Sequence, residues 1–170
     1  MRKGQNLFVR RIGCVLKALA FSLCVLVLSI SGAKAADWPS DLLNKVEELH
    51  TKANAKEDMP AQLDGIPVID GAKAYELWKA GKAIFLDNRV KSQYEAEHIK
   101  GAKWFLTDEL IKNPDKVNEL DKNNVYVVYC NGVKCWRSPA AALLLKHAGF
   151  KVLWYREGIP DWKKRGYPVE

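Results

Sequence analysis

The strongest constraint on the fold is one uninterrupted apolar run, VYVVY at residues 125–129, which is followed directly by Cys130. A run of β-branched and aromatic residues without polar alternation is typical of a strand buried on both faces, as in a parallel sheet. Residues 138–149 then predict a helix, with Ser138 as its N-cap and Gly149 as its stop. The order is therefore strand, short loop, helix, and the cysteine lies where the strand ends.

That position favours a reactive thiol. In open α/β sheets, ligands bind beyond the carboxyl ends of the strands, where a helix N-terminus presents unpaired N–H groups and the positive end of its dipole. Lys134 and Arg137 follow Cys130 closely, and nearby positive charge lowers the pKa of a thiol, whose ionised form is the nucleophile. We interpret Cys130 as a functional thiol; the alternative is a small buried apolar residue.

The first 35 residues have the three parts of a secretory signal peptide. They contain no acidic residue, carry an apolar run at residues 18–30, and place small residues at Ala33 and Ala35. This pattern predicts cleavage after Ala35 and a periplasmic location. The apolar run is short for a membrane span, so we expect contact with a membrane only through a leader that stays uncleaved.

Removal of the leader changes both the charge and the cysteine content. Six of the 27 Lys and Arg residues and none of the 20 Asp and Glu residues lie in residues 1–35, which leaves 21 basic against 20 acidic residues, a net charge of +1. We therefore expect no nucleic-acid partner. Cys14 and Cys24 leave with the leader, whereas Cys130 and Cys135 remain. Two thiols without a nearby histidine predict no metal site, and no cofactor is expected.

The mature chain divides into an extension and a domain. Residues 36–65 predict an amphipathic helix, whose apolar stripe we expect to pack on the domain, followed by a polar linker at 57–65. Residues 66–170 are close to the usual size of one domain. Strands alternate there with helices, which predicts a parallel sheet covered on both faces; they are expected at 66–69, 83–87, 102–106, 125–129 and 151–155.

Residues 66–170 resemble a rhodanese domain through four motifs in order. The motifs are FLDNRVKSQYEAEHIKGA at 85–102, VYCNGVKCWRSPAAA at 128–142, GFKVLWYREGIPDW at 149–162 and GYPV at 166–169. The resemblance implies an α/β fold in three layers, α/β/α, with a central parallel sheet of about five strands. It also implies sulfurtransferase activity.

In the implied chemistry, Cys130 attacks a small anionic sulfur donor such as thiosulfate, becomes a persulfide, and passes the sulfur to a thiol or cyanide acceptor. The backbone N–H groups of the loop after Cys130 would bind the donor, and Arg137 would add a fixed positive charge. The residues of this loop are Asn131, Gly132, Val133, Lys134, Cys135, Trp136 and Arg137. Asp87 and Arg89 would orient Arg137, select the substrate, or form a purely structural ion pair. Ser138 would support the loop from the helix start.

The loop from Cys130 to Arg137 is longer than in typical rhodaneses, which predicts a wider cradle, and it contains a second cysteine followed by Trp136. This Cys-Trp pair resembles an exported rhodanese-like subfamily. Cys135 could resolve a persulfide or sulfenic acid on Cys130 by forming a disulfide, or it could be a loop-filling thiol or half of a static disulfide. Two further functions stay open, a thiol-disulfide relay with a redox partner protein and a non-catalytic binding module. Chemistry on larger oxyanions is a minor variant.

Overall fold

The computed structural model describes residues 37–63 and 65–170. The predicted signal peptide, with Cys14 and Cys24, lies outside the described residues. The helices are α1 Ser40–Asn54, α2 Gly71–Lys79, α3 Lys91–Ala96, α4 Thr107–Lys112, a 3-10 helix Pro114–Glu119, α5 Arg137–His147 and α6 Gly158–Lys164. The strands are β1 Val68–Ile69, β2 Ile84–Asp87, β3 Lys103–Trp104, β4 Val125–Tyr129 and β5 Lys151–Tyr155. Among the helices of residues 37–63 and 65–170, none combines the length and the apolar character of a membrane span.

All five strands are parallel and form one sheet in the order β1-β5-β4-β2-β3. The central strand β4 pairs with β2 through Asp87 and Tyr129, and with β5 through Tyr129 and Tyr155. Tyr126 to Tyr129 are 0–1% exposed, as the apolar run predicted. The short strands β1 and β3 lie at the two edges, where only one neighbour supplies hydrogen bonds.

Helices cover both faces of the sheet, which confirms the predicted fold class. Alternate residues of β4 enter two separate cores, Val128 with α1, α4 and α5, and Tyr129 with α2 and α6. The residues predicted to begin and end helix α2 were correct. Asp70 caps α2 by accepting a 2.8 Å hydrogen bond from the N–H of Lys73, and Gly81 follows α2 with a φ of +60°.

The N-terminal extension packs on the domain through α1. Leu42, Val46 and Leu49 are buried in the core that includes α5, whereas Leu43 is exposed. Ahead of the helix, the indole N–H of Trp38 donates a 3.0 Å hydrogen bond to the carbonyl oxygen of Leu110. The extension therefore contributes to the main apolar core.

The prediction of a polar linker at residues 57–65 is wrong where the chain passes Met59. This side chain is 1% exposed and belongs to the same core as α1 and α5.

A second correction concerns the start of α5, which begins at Arg137 without a side-chain cap. Ser138 lies inside its first turn and accepts a 3.0 Å hydrogen bond from the indole of Trp154, because this position faces the sheet.

Candidate active site

Cys130 follows the last residue of β4 and is 1% exposed. Its carbonyl oxygen accepts a 3.0 Å hydrogen bond from the N–H of Ile159 at the start of α6. Gly158 makes this approach possible, since its φ is +60° and a Cβ there would overlap the Cys130 carbonyl. The end of β4 is thus held by the turn between β5 and α6.

Cys130 and Cys135 form a disulfide with their Cα atoms 6.1 Å apart. The chain returns toward β4 through a turn in which the N–H of Cys135 donates to the carbonyl oxygen of Gly132 at 3.0 Å. Gly132 has a φ of +98°, which favours glycine. The spacing of the two cysteines therefore brings both sulfurs together at the carboxyl end of the sheet.

Most N–H groups of the loop that contains this cystine have no acceptor in the part of the chain that the structure describes. Six backbone N–H groups of the loop have no hydrogen-bond acceptor within residues 37–63 and 65–170. They are those of Asn131, Gly132, Val133, Lys134, Trp136 and Arg137. A shallow depression of about 460 Å³ opens beside the loop, between residues 131–134 and the start of α6. Unpaired N–H groups near a helix start attract anions.

Arg137 does not face this depression. Its Nε and one terminal nitrogen lie 2.6 and 3.2 Å from the carboxylate oxygens of Asp108, and its guanidinium lies 5.2 Å from the ring centre of Trp136. The hydroxyl of Thr107 donates to the Arg137 carbonyl oxygen at 2.9 Å. The expected free positive charge at Arg137 is therefore compensated by an ion pair.

Lys134 is likewise paired, with Asp58 at 2.8 Å and with the carbonyl oxygen of Lys56 at 2.7 Å. The hydrogen bond and charge of Lys134 lower the pKa of the Asp58 carboxyl below its ordinary value. Both basic residues of the loop thus bind carboxylates from other segments.

Arg156 is a cation near the site that sequence reasoning missed. It directly follows β5, whose last residue, Tyr155, pairs with Tyr129 at the end of β4. Its guanidinium donates to the carbonyl oxygens of Met59 at 2.7 Å and Pro60 at 3.0 Å. Its position after the strand KVLWY was the only available signal, since the register was unknown from the sequence.

The additional loop length contacts the N-terminal extension. The Met59 N–H donates a 2.7 Å hydrogen bond to the Val133 carbonyl, and the His50 ring lies 4.8 Å from the Trp136 ring. The Lys134–Asp58 ion pair is a third contact between the two segments. The loop therefore binds residues 50–59, and the wider cradle stays a prediction.

Asp87 and Arg89 form a buried ion pair, 2.6 Å between their closest atoms, and neither forms a hydrogen bond or ion pair with Arg137, whose carboxylate partner is Asp108. Burial alone would lower the pKa of Arg89, but the hydrogen bond and charge of Asp87 outweigh it and raise that pKa. The Tyr129 hydroxyl donates to Asp87 at 2.7 Å and accepts from the Ile99 N–H at 3.2 Å. Of the interpretations for this pair, the geometry favours the structural one.

A parallel sheet whose central strand ends in a cysteine, followed by an amide-lined loop and a helix, defines a class of α/β thiol proteins. Residues 71–165 match the family model described as Rhodanese-like domain. The chain belongs to this family.

Solved structures with similar folds include a rhodanese-related protein from Thermoplasma volcanium, 28% identical, with a TM-score of 0.53 over 61% of this chain and 97% of that chain. The BH2092 protein from Bacillus halodurans is 25% identical, with a TM-score of 0.57 over 75% of this chain and 85% of its own. Both comparisons support the same α/β architecture.

Among curated proteins, an HTH-type transcriptional regulator of Mycobacterium tuberculosis is 30% identical over 54% of this chain. A tRNA uridine(34) hydroxylase of Escherichia coli is 29% identical over 62% of it. The matched parts span 39% and 35% of these two relatives. The likeness thus concerns one domain within longer proteins.

Proposed function

We propose that this protein is an exported sulfurtransferase in which Cys130 carries a sulfane sulfur as a persulfide. The observation that carries the proposal is the bond between Cys130 and Cys135, because it brings a second thiol within reach of any sulfur held on the first. The amide-lined loop at the carboxyl end of β4 supports an anionic donor. The cystine also supports action in an oxidising compartment such as the periplasm.

The cycle starts with reduction of the cystine by a dithiol, which supplies two electrons and two protons. The Cys130 thiolate then attacks the outer sulfur of thiosulfate; the S–S bond of the donor breaks, and sulfite leaves with the electron pair. Transfer occurs when an acceptor thiolate attacks the outer sulfur of the persulfide and regenerates Cys130. Alternatively, Cys135 attacks the inner sulfur, which releases hydrosulfide and restores the cystine.

A thiol-disulfide relay is the second candidate, and the same disulfide favours it. In that function, the reduced pair passes two electrons to a partner's disulfide and returns to the cystine without any sulfur being carried. Both functions need Cys130, whereas only the relay needs Cys135 for every turnover.

The deciding experiment measures intact mass after the protein has been reduced, freed of reductant and incubated with thiosulfate. We expect the Cys135→Ser variant to gain one sulfur atom, located at Cys130 by peptide mapping, and the Cys130→Ser variant to gain none. Failure of Cys135→Ser to take up sulfur, combined with disulfide reductase activity in the wild type that this variant lacks, would overturn sulfur transfer in favour of the relay.

A further inference from the structure

Asn88 lies beside the candidate nucleophile at the end of the neighbouring strand. Its N–H donates to the Tyr129 carbonyl at 3.1 Å, which is the last hydrogen bond of the β2–β4 ladder and belongs to the Asp87–Tyr129 pair. Residues paired across parallel strands project to the same face. Asn88 and Cys130 are the residues that directly follow the Asp87–Tyr129 pair, so the alternation along each strand assigns both to the face that carries Leu86 and Val128.

The orientation of the Asn88 amide is determined by its neighbour on the other side. Its Nδ2 donates a 2.8 Å hydrogen bond to the Phe105 carbonyl oxygen, which can only accept. Phe105 follows β3, and β2 lies between β3 and β4. Since the oxygen of a planar amide lies opposite its nitrogen, Oδ1 of Asn88 is directed toward the β4 side, where Cys130 is located.

This oxygen is buried without a partner. Asn88 is 0% exposed, and its Oδ1 has no hydrogen-bond donor among the described residues. A buried acceptor in this state is costly, and few occur in a folded domain. In the cystine, Cys130 has no hydrogen to donate, because its sulfur is bonded to Cys135.

We propose that Asn88 is a positioning residue for the reduced site, whose Oδ1 accepts a hydrogen bond from the Cys130 S–H once the disulfide opens. Reduction then satisfies two groups together, the new thiol and the orphaned amide oxygen. The bond stabilises the dithiol over the cystine and the thiol over the thiolate, and it holds the sulfur at the end of β4. This inference rests on the proposed role of Cys130 as a thiol that cycles through the cystine.

The test measures the equilibrium constant for thiol-disulfide exchange between the cystine and dithiothreitol. This exchange requires no sulfur donor, so its result is independent of sulfur transfer. We expect Asn88→Leu to shift this equilibrium toward the cystine by about fivefold, because the dithiol loses one hydrogen bond. The matched control is Tyr126→Phe, which removes a part-buried hydrogen bond from the Tyr126 hydroxyl to the Asp121 carbonyl near the start of β4 and should leave the equilibrium unchanged. Equal equilibria for Asn88→Leu and the wild type would overturn the proposal.

Two further measurements separate this role from a purely structural one. In the Cys135→Ala background, we expect Asn88→Leu to accelerate alkylation of Cys130 and Asn88→Asp to slow it, because a carboxylate opposes the thiolate. Faster alkylation of Cys130 in both variants, or slower alkylation in both, would count against the proposal. If Asn88→Leu does not fold, the infrared S–H band of reduced Cys135→Ala still decides: a band at lower wavenumber than that of a solvated cysteine supports the bond, and an unshifted band refutes it.

Discussion

The backbone N–H of Met59 donates a 2.7 Å hydrogen bond to the carbonyl oxygen of Val133, and this bond joins the N-terminal extension to the loop that contains both cysteines. Arg156 reinforces the connection from β5 by donating to the carbonyl oxygen of Met59. The buried Met59 side chain anchors the segment in the core. Residues outside the region matched by the family model thus contribute to the geometry of the candidate site.

Shortening the Met59 side chain should destabilise the fold. Because this side chain is almost fully buried, we expect Met59→Ala to lower the free energy of unfolding by about 2–4 kcal/mol. Met59→Leu is the matched control, since it keeps the volume and should cost less than about 1.5 kcal/mol. Urea unfolding measures both values, and equal stability of the Ala variant and the wild type would show that the segment does not pack as described.

Sulfide release should depend on Cys135. After loading with thiosulfate, we expect the reduced wild type to release hydrosulfide and return to the cystine, whereas Cys135→Ser keeps the persulfide until an external thiol is added. Sulfide is measured colorimetrically, alongside the mass of the protein. Rapid sulfide release from Cys135→Ser without added thiol would show that Cys135 does not resolve the persulfide.

The cation that activates Cys130 should be Arg156. Loss of a neighbouring positive charge decreases the thiolate fraction, so we expect Arg156→Met to slow alkylation of Cys130 by iodoacetamide at neutral pH by about tenfold in the Cys135→Ser background. Arg137→Met is the comparison, because the charge of Arg137 is paired with Asp108. A larger effect from Arg137 than from Arg156 would contradict the assignment.

Gly158 should tolerate no side chain. Gly158→Ala introduces a Cβ that overlaps the Cys130 carbonyl at a φ of +60°, and we expect a loss of about 2–4 kcal/mol in unfolding free energy. Gly81 has the same φ, but a Cβ added there would meet no atom within 4 Å, so Gly81→Ala should lose only about 1–2 kcal/mol. Thermal and urea unfolding distinguish the two, and equal losses would argue against the close approach at Cys130.

Stability should fall at alkaline pH through Tyr129. Burial, with the adjacent Asp87 carboxylate, raises the pKa of the Tyr129 phenol far above its ordinary value. The stabilisation is complete below the unfolded pKa of about 10 and decreases as the pH rises above it, because the unfolded chain then loses the proton first. Tyr129→Phe should be less stable at neutral pH by about 1–3 kcal/mol and show a weaker alkaline decrease. Urea titrations at several pH values test this, and an identical alkaline slope in both proteins would contradict it.

The elements of the fold were predictable because their signals are local. The apolar run of β4, the cap at Asp70 and the glycine at position 81 act within a few residues of the chain, and the structure agrees with each of them. Ser138 misled the prediction of the α5 start, since its hydroxyl is bonded to Trp154 across the core and not to the helix backbone. A capping residue can be recognised in a sequence, but a distant competing partner cannot.

The sequence by itself determined the class of fold and the place of Cys130, because periodicity and strand order bring a cysteine after a buried strand to the carboxyl edge of a parallel sheet. Only the tertiary structure decided which groups surround that sulfur. It paired Arg137 with Asp108, bonded Asn88 to the last residue of β4, and joined the loop and Arg156 through Met59. These neighbours depend on strand register and on contacts between distant segments, and neither follows from the spacing of residues along the chain.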